Sequence, residues 1–293
     1  MVNKQLPLAQ WLPYQEDRNA RHGGRSFYFF DLDDNILFMD TKIILFHKET
    51  GEEIEISSGE LARNVRDIGE RGSFKDYQID KNDLTGSYRN FRDRKIPFWK
   101  RGADRKQSIE LDLERAIEKP EWDWHGPSWN HFFYAVLNGR PVSIITARGH
   151  RAKTIQRTLD ILYHRGHLQK KPNILTIYPV SNPQLRKDLG DPHLEKPIAL
   201  LKKEALHRSV ERAFEKYGYN SHHRFGVSDD DPHNIEEITA TLVEIKKKYP
   251  RNAFFLIDSS GGKVQKTEIF EDHLKKSEQI ELVDALNYKL FDF

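Results

Sequence analysis

Five short, mostly apolar runs recur along the chain: 26–30 (SFYFF), 142–145 (VSII), 174–178 (ILTIY), 224–227 (RFGV) and 253–257 (AFFLI). A strand with one wet face alternates apolar and polar residues. A continuous run suits a strand covered on both faces. Segments with helical spacing lie between most of these runs. Trp129, Phe132, Phe133 and Val136 share a face within 128–138, framed by Pro127 and Gly139. Ile155, Leu159 and Leu162 do so within 150–165, which Gly166 stops. Leu206, Val210 and Phe214 do so within 200–217, which Gly218 stops. Ile235, Ile238, Leu242 and Ile245 mark 233–248, with Asp231 and Pro232 at its start. Strands alternating with helices predict an α/β fold around a central parallel sheet of about five strands.

One interval breaks the rhythm. About 110 residues separate the first run from the second, far more than a crossover needs. The interval opens with KIILFHKETGEEIEIS, two strand-like stretches around a glycine-containing turn, which predicts a β-hairpin. A polar, irregular stretch follows, then a helix from Ser108, a good N-cap residue, to Pro120. The expected organisation is a loosely held N-terminal arm (1–24), a core (25–40 and 121–293) and a flap or cap insertion (41–120).

The chain of 293 residues contains no cysteine, which excludes disulfides, thiolate metal sites and thiol catalysis. Its net charge of +2 says little about partners. The N-terminal stretch lacks the apolar core of a signal peptide, and no run approaches the ~18 apolar residues of a membrane helix. A cytoplasmic protein without a membrane partner is expected. The 13 histidines show no HExxH or comparable ligand spacing.

In parallel α/β sheets, ligands bind beyond the carboxyl ends of the strands. The first run delivers Asp31, Asp33 and Asp34 to that edge. The second delivers Thr146, in IITARGH. The fourth delivers Asp229, Asp230 and Asp231, in SDDDPHNI, and the helix before it opens with LKKEAL. This constellation resembles the haloacid dehalogenase superfamily of phosphohydrolases. Asp31-Leu32-Asp33-Asp34-Asn35 is similar to its first motif, Thr146 to its second, Lys202 (with Lys203 adjacent) to its third, and Ser228 to Asn234 to its fourth. Asn35 stands where that family usually has Thr, Ser228 where Gly is frequent, and Asn234 where many members have a second acid.

The resemblance implies a Rossmann-like, HAD-like three-layer fold with the 26–30 strand flanked by 142–145 and 224–227. It implies a Mg²⁺-dependent phosphatase that hydrolyses a phosphate monoester through an aspartyl phosphate. Asp31 would be the nucleophile and Asp33 the general acid and base. The metal would be held by the Asp31 carboxylate, the Asp33 backbone carbonyl and Asp229, with Asp230 as the alternative ligand or, like Asn234, behind the ligands. Thr146 and Lys202 would bind the phosphoryl oxygens. Members that act as dehalogenases lack the second aspartate, so Asp33 favours phosphoryl transfer.

Several residues also have plainer roles. Asp231 reads as the N-cap of the Pro232 helix, and Asp34 as a solvated turn acid. Arg148 and His150 read as a solvated helix start that could touch substrate. Within the insertion, residues 86–106 (GSYRNFRDRKIPFWKRGADRK) carry eight basic groups against two acids, interleaved with Tyr88, Phe91, Phe98 and Trp99. That mixture suits nucleic acid through phosphate contacts and stacking, a cap closing over a small phosphorylated metabolite, or a solvated loop anchored by its aromatics. The expected partner is a phosphorylated small molecule. A nucleic-acid end phosphatase, or a non-catalytic protein that binds phosphate or nucleic acid, is the alternative.

Overall fold

The computed structural model describes residues 14–271, apart from 83 and 261–263, together with 274–276. The chain runs through β1 (Ser26–Phe30), β2 (Ile43–His47), β3 (Glu53–Ile56), α1 (Ser58–Asn64) and β4 (Tyr77–Gln78). Then come α2 (Ser108–Ala116), α3 (Glu121–Trp124), α4 (Trp129–Leu137), β5 (Pro141–Thr146), α5 (Ala152–His164) and β6 (Asn173–Pro179). It continues through α6 (Pro183–Asp188), α7 (Ile198–Tyr217), β7 (Arg224–Asp229), α8 (Pro232–Lys248), β8 (Ala253–Asp258), β9 (Gln265–Ile269) and β10 (Leu274–Lys276).

Seven strands form the main sheet in the order β10-β9-β8-β7-β1-β5-β6. All five apolar runs are strands of it and pair in parallel, with β1 between β5 and β7. The sequence reading did not include β9 and β10, which add antiparallel beyond β8. The sequence of β9, QKTEI, is polar apart from its last residue, so it carries no apolar run to announce a strand.

The aromatic β1 is explained by its two covered faces. Phe27 and Phe29 pack in one core cluster with Leu201, Leu206 and Val210 of α7 and Leu242 and Ile245 of α8. Phe30, with Tyr28 against it, packs in the other cluster with Leu113 of α2, Phe132 of α4 and Leu159 of α5. Helices therefore cover both faces of the sheet. Each fully buried Phe contributes about 1.5–3 kcal/mol by leaving water.

The insertion folds around a small core of its own. The expected hairpin forms between β2 and β3 with Ile43 opposite Ile56, and β4 adds on the far side of β2. Ile43, Leu45 and Ile56 are buried there, with Phe74, Tyr77, Tyr88 and Phe91 packed against them. The helix at the end of the insertion does not join this core. Ile109, Leu113 and Ala116 of α2 are buried in the second main cluster.

Two local expectations are corrected. The N-cap of α2 is Gln107, which forms a capping box with Glu110; Ser108 is the first helical residue. Its hydroxyl instead donates to Asn90 O at 2.6 Å. The arm is also not loose where it is described. Asp17 accepts from Ser26 N at 2.6 Å and Ser26 Oγ at 2.8 Å, and pairs with the buried Arg140 at 3.1 Å. Residues 1–13 of the arm, and 277–293 of the expected core, lie outside the described residues.

Candidate active site

Strand register brings the two acidic clusters together. Phe30 of β1 stands opposite Ser228 of β7, and Asp31 N donates to Ser228 O at 3.0 Å. Asp31 and Asp229, the next residues along, therefore emerge side by side. Lys202 lies between them, donating to Asp31 Oδ2 at 2.7 Å and to Asp229 Oδ2 at 2.8 Å. The helical repeat decides which lysine does this. Lys202 shares the buried face of α7 with Leu201, Ala205 and Leu206, whereas Lys203, a hundred degrees around, pairs with Glu244 outside.

The other carboxylate oxygens are committed too. Asp31 Oδ1 accepts from Leu32 N at 2.7 Å. Asp229 Oδ1 accepts from Asp231 N and from Asn234 Nδ2, each at 3.1 Å. Asn234 thus supports Asp229 from behind. Asp230 completes the group: one oxygen from each of Asp31, Asp229 and Asp230 lies within 4.8 Å of the others. Asp231 stands apart and caps α8, accepting from His233 N at 2.9 Å.

This crowding is costly, and the proton affinities reflect it. Burial raises Asp31 to about 7; Lys202 opposes that, and Asp229 adds to it. Burial also raises Asp230 to about 8, helped by the charges of Asp31 and Asp229. Burial works against the Lys202 ammonium, but Asp31 and Asp229 outweigh it and raise its proton affinity. Three carboxylates gathered around one cation leave an excess of hard oxygen donors. Such a set suits Mg²⁺, which takes one or two carboxylates and completes its shell with water and phosphate.

Asp33 goes elsewhere. Its carboxylate is held by Arg148, whose Nε donates to both oxygens at 3.0 and 2.8 Å and whose Nη2 donates at 2.6 Å. Arg148 is not part of a solvated helix start; it is 1% exposed. Nη2 also donates to Thr41 Oγ1 at 2.8 Å, whose hydroxyl donates to the buried Asp112 at 2.6 Å. The guanidinium lies over the Phe91 ring, 4.7 Å from its centre. Its Nη1 is buried with no hydrogen-bond partner among the described residues. His150 is likewise buried, and burial, then Arg148 and Arg92, push its imidazole down to about 2. Thr146 ends β5 fully buried, and its Oγ1 accepts from Arg148 N at 3.2 Å.

Asn35 has a larger role than its place in a turn suggests. It is fully buried, and its Nδ2 reaches Ser128 Oγ at 3.3 Å, Ser228 Oγ at 3.1 Å and Ser259 Oγ at 3.0 Å. Ser128 and Ser228 share a hydrogen bond of 2.6 Å, and Ser259 Oγ donates to Asp229 O at 3.0 Å. This knot ties the loop after β1 to the residue before α4 and to the ends of β7 and β8. Gly126 lets the chain pass close by, because a Cβ there would overlap the Asn35 carbonyl. Asp34 is only partly exposed rather than a solvated turn acid. It adopts φ +58° and accepts from Ser58 Oγ at 3.2 Å, and burial raises its proton affinity.

No family model matches the chain, and neither a curated protein nor a solved structure does. Among the described residues, no helix is long and apolar enough to cross a membrane. The chemistry has therefore to be read from the side chains themselves.

Proposed function

We propose that the protein is a Mg²⁺-dependent phosphatase of the haloacid dehalogenase type, hydrolysing a phosphate monoester through an aspartyl phosphate. The observation that carries this reading is the buried Lys202 joining Asp31 and Asp229, with Asp230 beside them. Carboxylates from two strand ends and a lysine from a helix meet at one point, which supports the reading of the first, third and fourth motifs. The folding cost of such a group makes sense if a cation and a phosphoryl group balance it.

Asp31, Asp229 and Asp230 would hold the metal, which when bound neutralises charge on the phosphoryl oxygens. An Asp31 oxygen attacks phosphorus, the ester P–O bond breaks, and the leaving oxygen takes a proton from Asp33. Water then attacks the acyl phosphate and gives a proton to Asp33, which releases phosphate and restores Asp31. Lys202 and Thr146 would bind non-bridging oxygens. In this scheme Asp33 must first leave part of its pairing with Arg148 and take up a proton from solvent, which the water-attack step later restores.

The test is the Asp31→Asn variant. It should remain folded and lose turnover of an aryl phosphate by several orders of magnitude, because the amide cannot act as the nucleophile. Full activity in a folded Asp31→Asn protein refutes the mechanism.

A further inference from the structure

The basic and aromatic segment of the insertion divides into an anchored root and an exposed crest. At the root, Gly149 N donates to Phe91 O at 2.9 Å and Arg151 N to Asp93 Oδ2 at 3.0 Å. The Arg92 side chain passes so close to Gly149 that a Cβ there would not fit. Phe91 lies under Arg148, the residue that holds Asp33. The root therefore stands on the wall of the candidate site. Above it, Arg94 N donates to Gln107 Oε1 at 2.8 Å and Gln107 Nε2 to Arg94 O at 3.1 Å. These bonds pinch residues 95–106 into a loop.

The crest does not anchor anything. Phe98 is 85% exposed and Trp99 66% exposed, with ring centres 5.1 Å apart and planes nearly perpendicular. Rings of this size normally stabilise a fold by leaving water. Around them, the exposed Lys95, Arg101 and Arg105 side chains have no ion pair or hydrogen bond among the described residues. Lys100 has one exposed partner, Asp104, at 3.3 Å.

We infer that residues 95–105 are a stacking platform for single-stranded nucleic acid, and that a phosphate ester at the end of such a strand is the substrate of the Asp31 site. The second half of this inference rests on the phosphatase reading. Unpaired bases offer faces for Phe98 and Trp99, and the phosphodiester backbone offers charge to Lys95, Arg101 and Arg105. A small phosphorylated metabolite presents its phosphate to the site and leaves the rings and cations of the crest unused. A membrane surface calls for a broader apolar face than two rings.

The experiment uses the full chain and fluorescent single strands of about 12 nucleotides, ending in 5′-phosphate, 3′-phosphate or hydroxyl. Binding is read by anisotropy across a salt series, and phosphate release is measured with Mg²⁺ alongside an aryl phosphate. The Phe98→Ala/Trp99→Ala variant should bind strands at least about thirtyfold more weakly, from about 1 kcal/mol or more for each ring removed. It should also raise KM for the phosphorylated strand relative to KM for the aryl phosphate. Changing Lys95, Arg101 and Arg105 to Gln should make the log–log salt slope shallower by about 2. Equal strand affinity in wild type and the aromatic variant overturns the inference, as does preference for anionic vesicles over strands. Aryl phosphate turnover without strand binding overturns it while leaving the phosphatase reading intact. Strand binding that depends on Phe98 and Trp99, with no turnover of either ester, upholds the platform and refutes the phosphatase reading.

Discussion

Lys202→Met separates electrostatics from packing at the centre of the site. Methionine keeps the length and apolar body of the side chain, which is 4% exposed, and removes the ammonium that bonds both Asp31 and Asp229. Breaking a buried ion pair from one side costs about 3–5 kcal/mol, because the remaining charge stays buried without its partner. At this chain length that is a melting-temperature loss of roughly 10 °C. The sign with pH follows from Asp31. Its folded proton affinity, about 7, already lies above the ordinary aspartate value of 3.8, and Lys202 is what holds it down. Removing Lys202 raises it further. The folded state then holds more protons than the unfolded one from about pH 4 upward, so stability falls as pH rises through that window. The loss relative to wild type should therefore be larger at pH 8 than at pH 5, where Asp31 is protonated in both proteins and the lost pairing is the one with Asp229. Mg²⁺ should recover part of it at pH 8. Urea denaturation at the two pH values, with and without Mg²⁺, reads all of this. Equal losses at pH 5 and pH 8 with no recovery by Mg²⁺ mean that the charge of Asp31 does not depend on Lys202, and the charged triad is then not what organises the site.

Mg²⁺ binding should tighten from pH 6 to pH 8, because Asp31 and Asp230 must shed protons held near 7 and 8. The gain is at most about tenfold per pH unit for each proton displaced, and calorimetry in buffers of different ionisation enthalpy should detect proton release. Binding that neither releases protons nor depends on pH excludes these acids as ligands. Asn35→Ala should cost about 1–3 kcal/mol in urea denaturation, since it strips a shared donor from three serine hydroxyls. It should also slow aryl phosphate turnover, because the loop bearing Asp31 and Asp33 loses its tie to β7; wild-type stability in this variant removes the knot from the account. Gly126→Ala should destabilise by roughly the 1–3 kcal/mol of an overpacked site, because the added Cβ meets backbone rather than a flexible side chain. A melting point unchanged from wild type shows that the loop yields freely.

The main sheet was legible because burial on both faces writes itself into composition. Each of the five parallel strands is an apolar run within a residue or two of its observed ends, and each of the longer helices carries a stripe matched to one face. The edge was not legible. Gln265–Ile269 buries only its last residue in the main core and needs few apolar side chains, so its sequence looks like a loop. The ends of the insertion were obscured for a related reason. Chain position assigns α2 to the flap, but the contacts of Ile109 and Leu113 assign it to the layer over the sheet. Continuity along the chain is a weak guide to which core a helix fills.

At the site, sequence gave addresses more readily than partners. A residue after an apolar strand must appear at the sheet edge, so Asp31, Thr146 and Asp229 could be placed there from spacing alone. Lys202 could be separated from Lys203 by asking which one shares the spacing of Leu206 and Val210. Arg148 and Asn35 had no such signal. An arginine after a strand and a polar residue in a turn are ordinary on a surface, and what makes these two unusual is burial against groups 115 and 93 or more positions away. Both nonetheless bear directly on how the acids are arranged. Lys202 gathers Asp31 and Asp229 while Arg148 draws Asp33 aside, so three of the five nearby carboxylates are divided between two buried cations. The alternative would have been one group of mutually repelling charges at the end of β1. The pairing of Asp33 with Arg148 therefore divides the acids without isolating them, since the charge of Asp33 still adds to the proton affinity of Asp31.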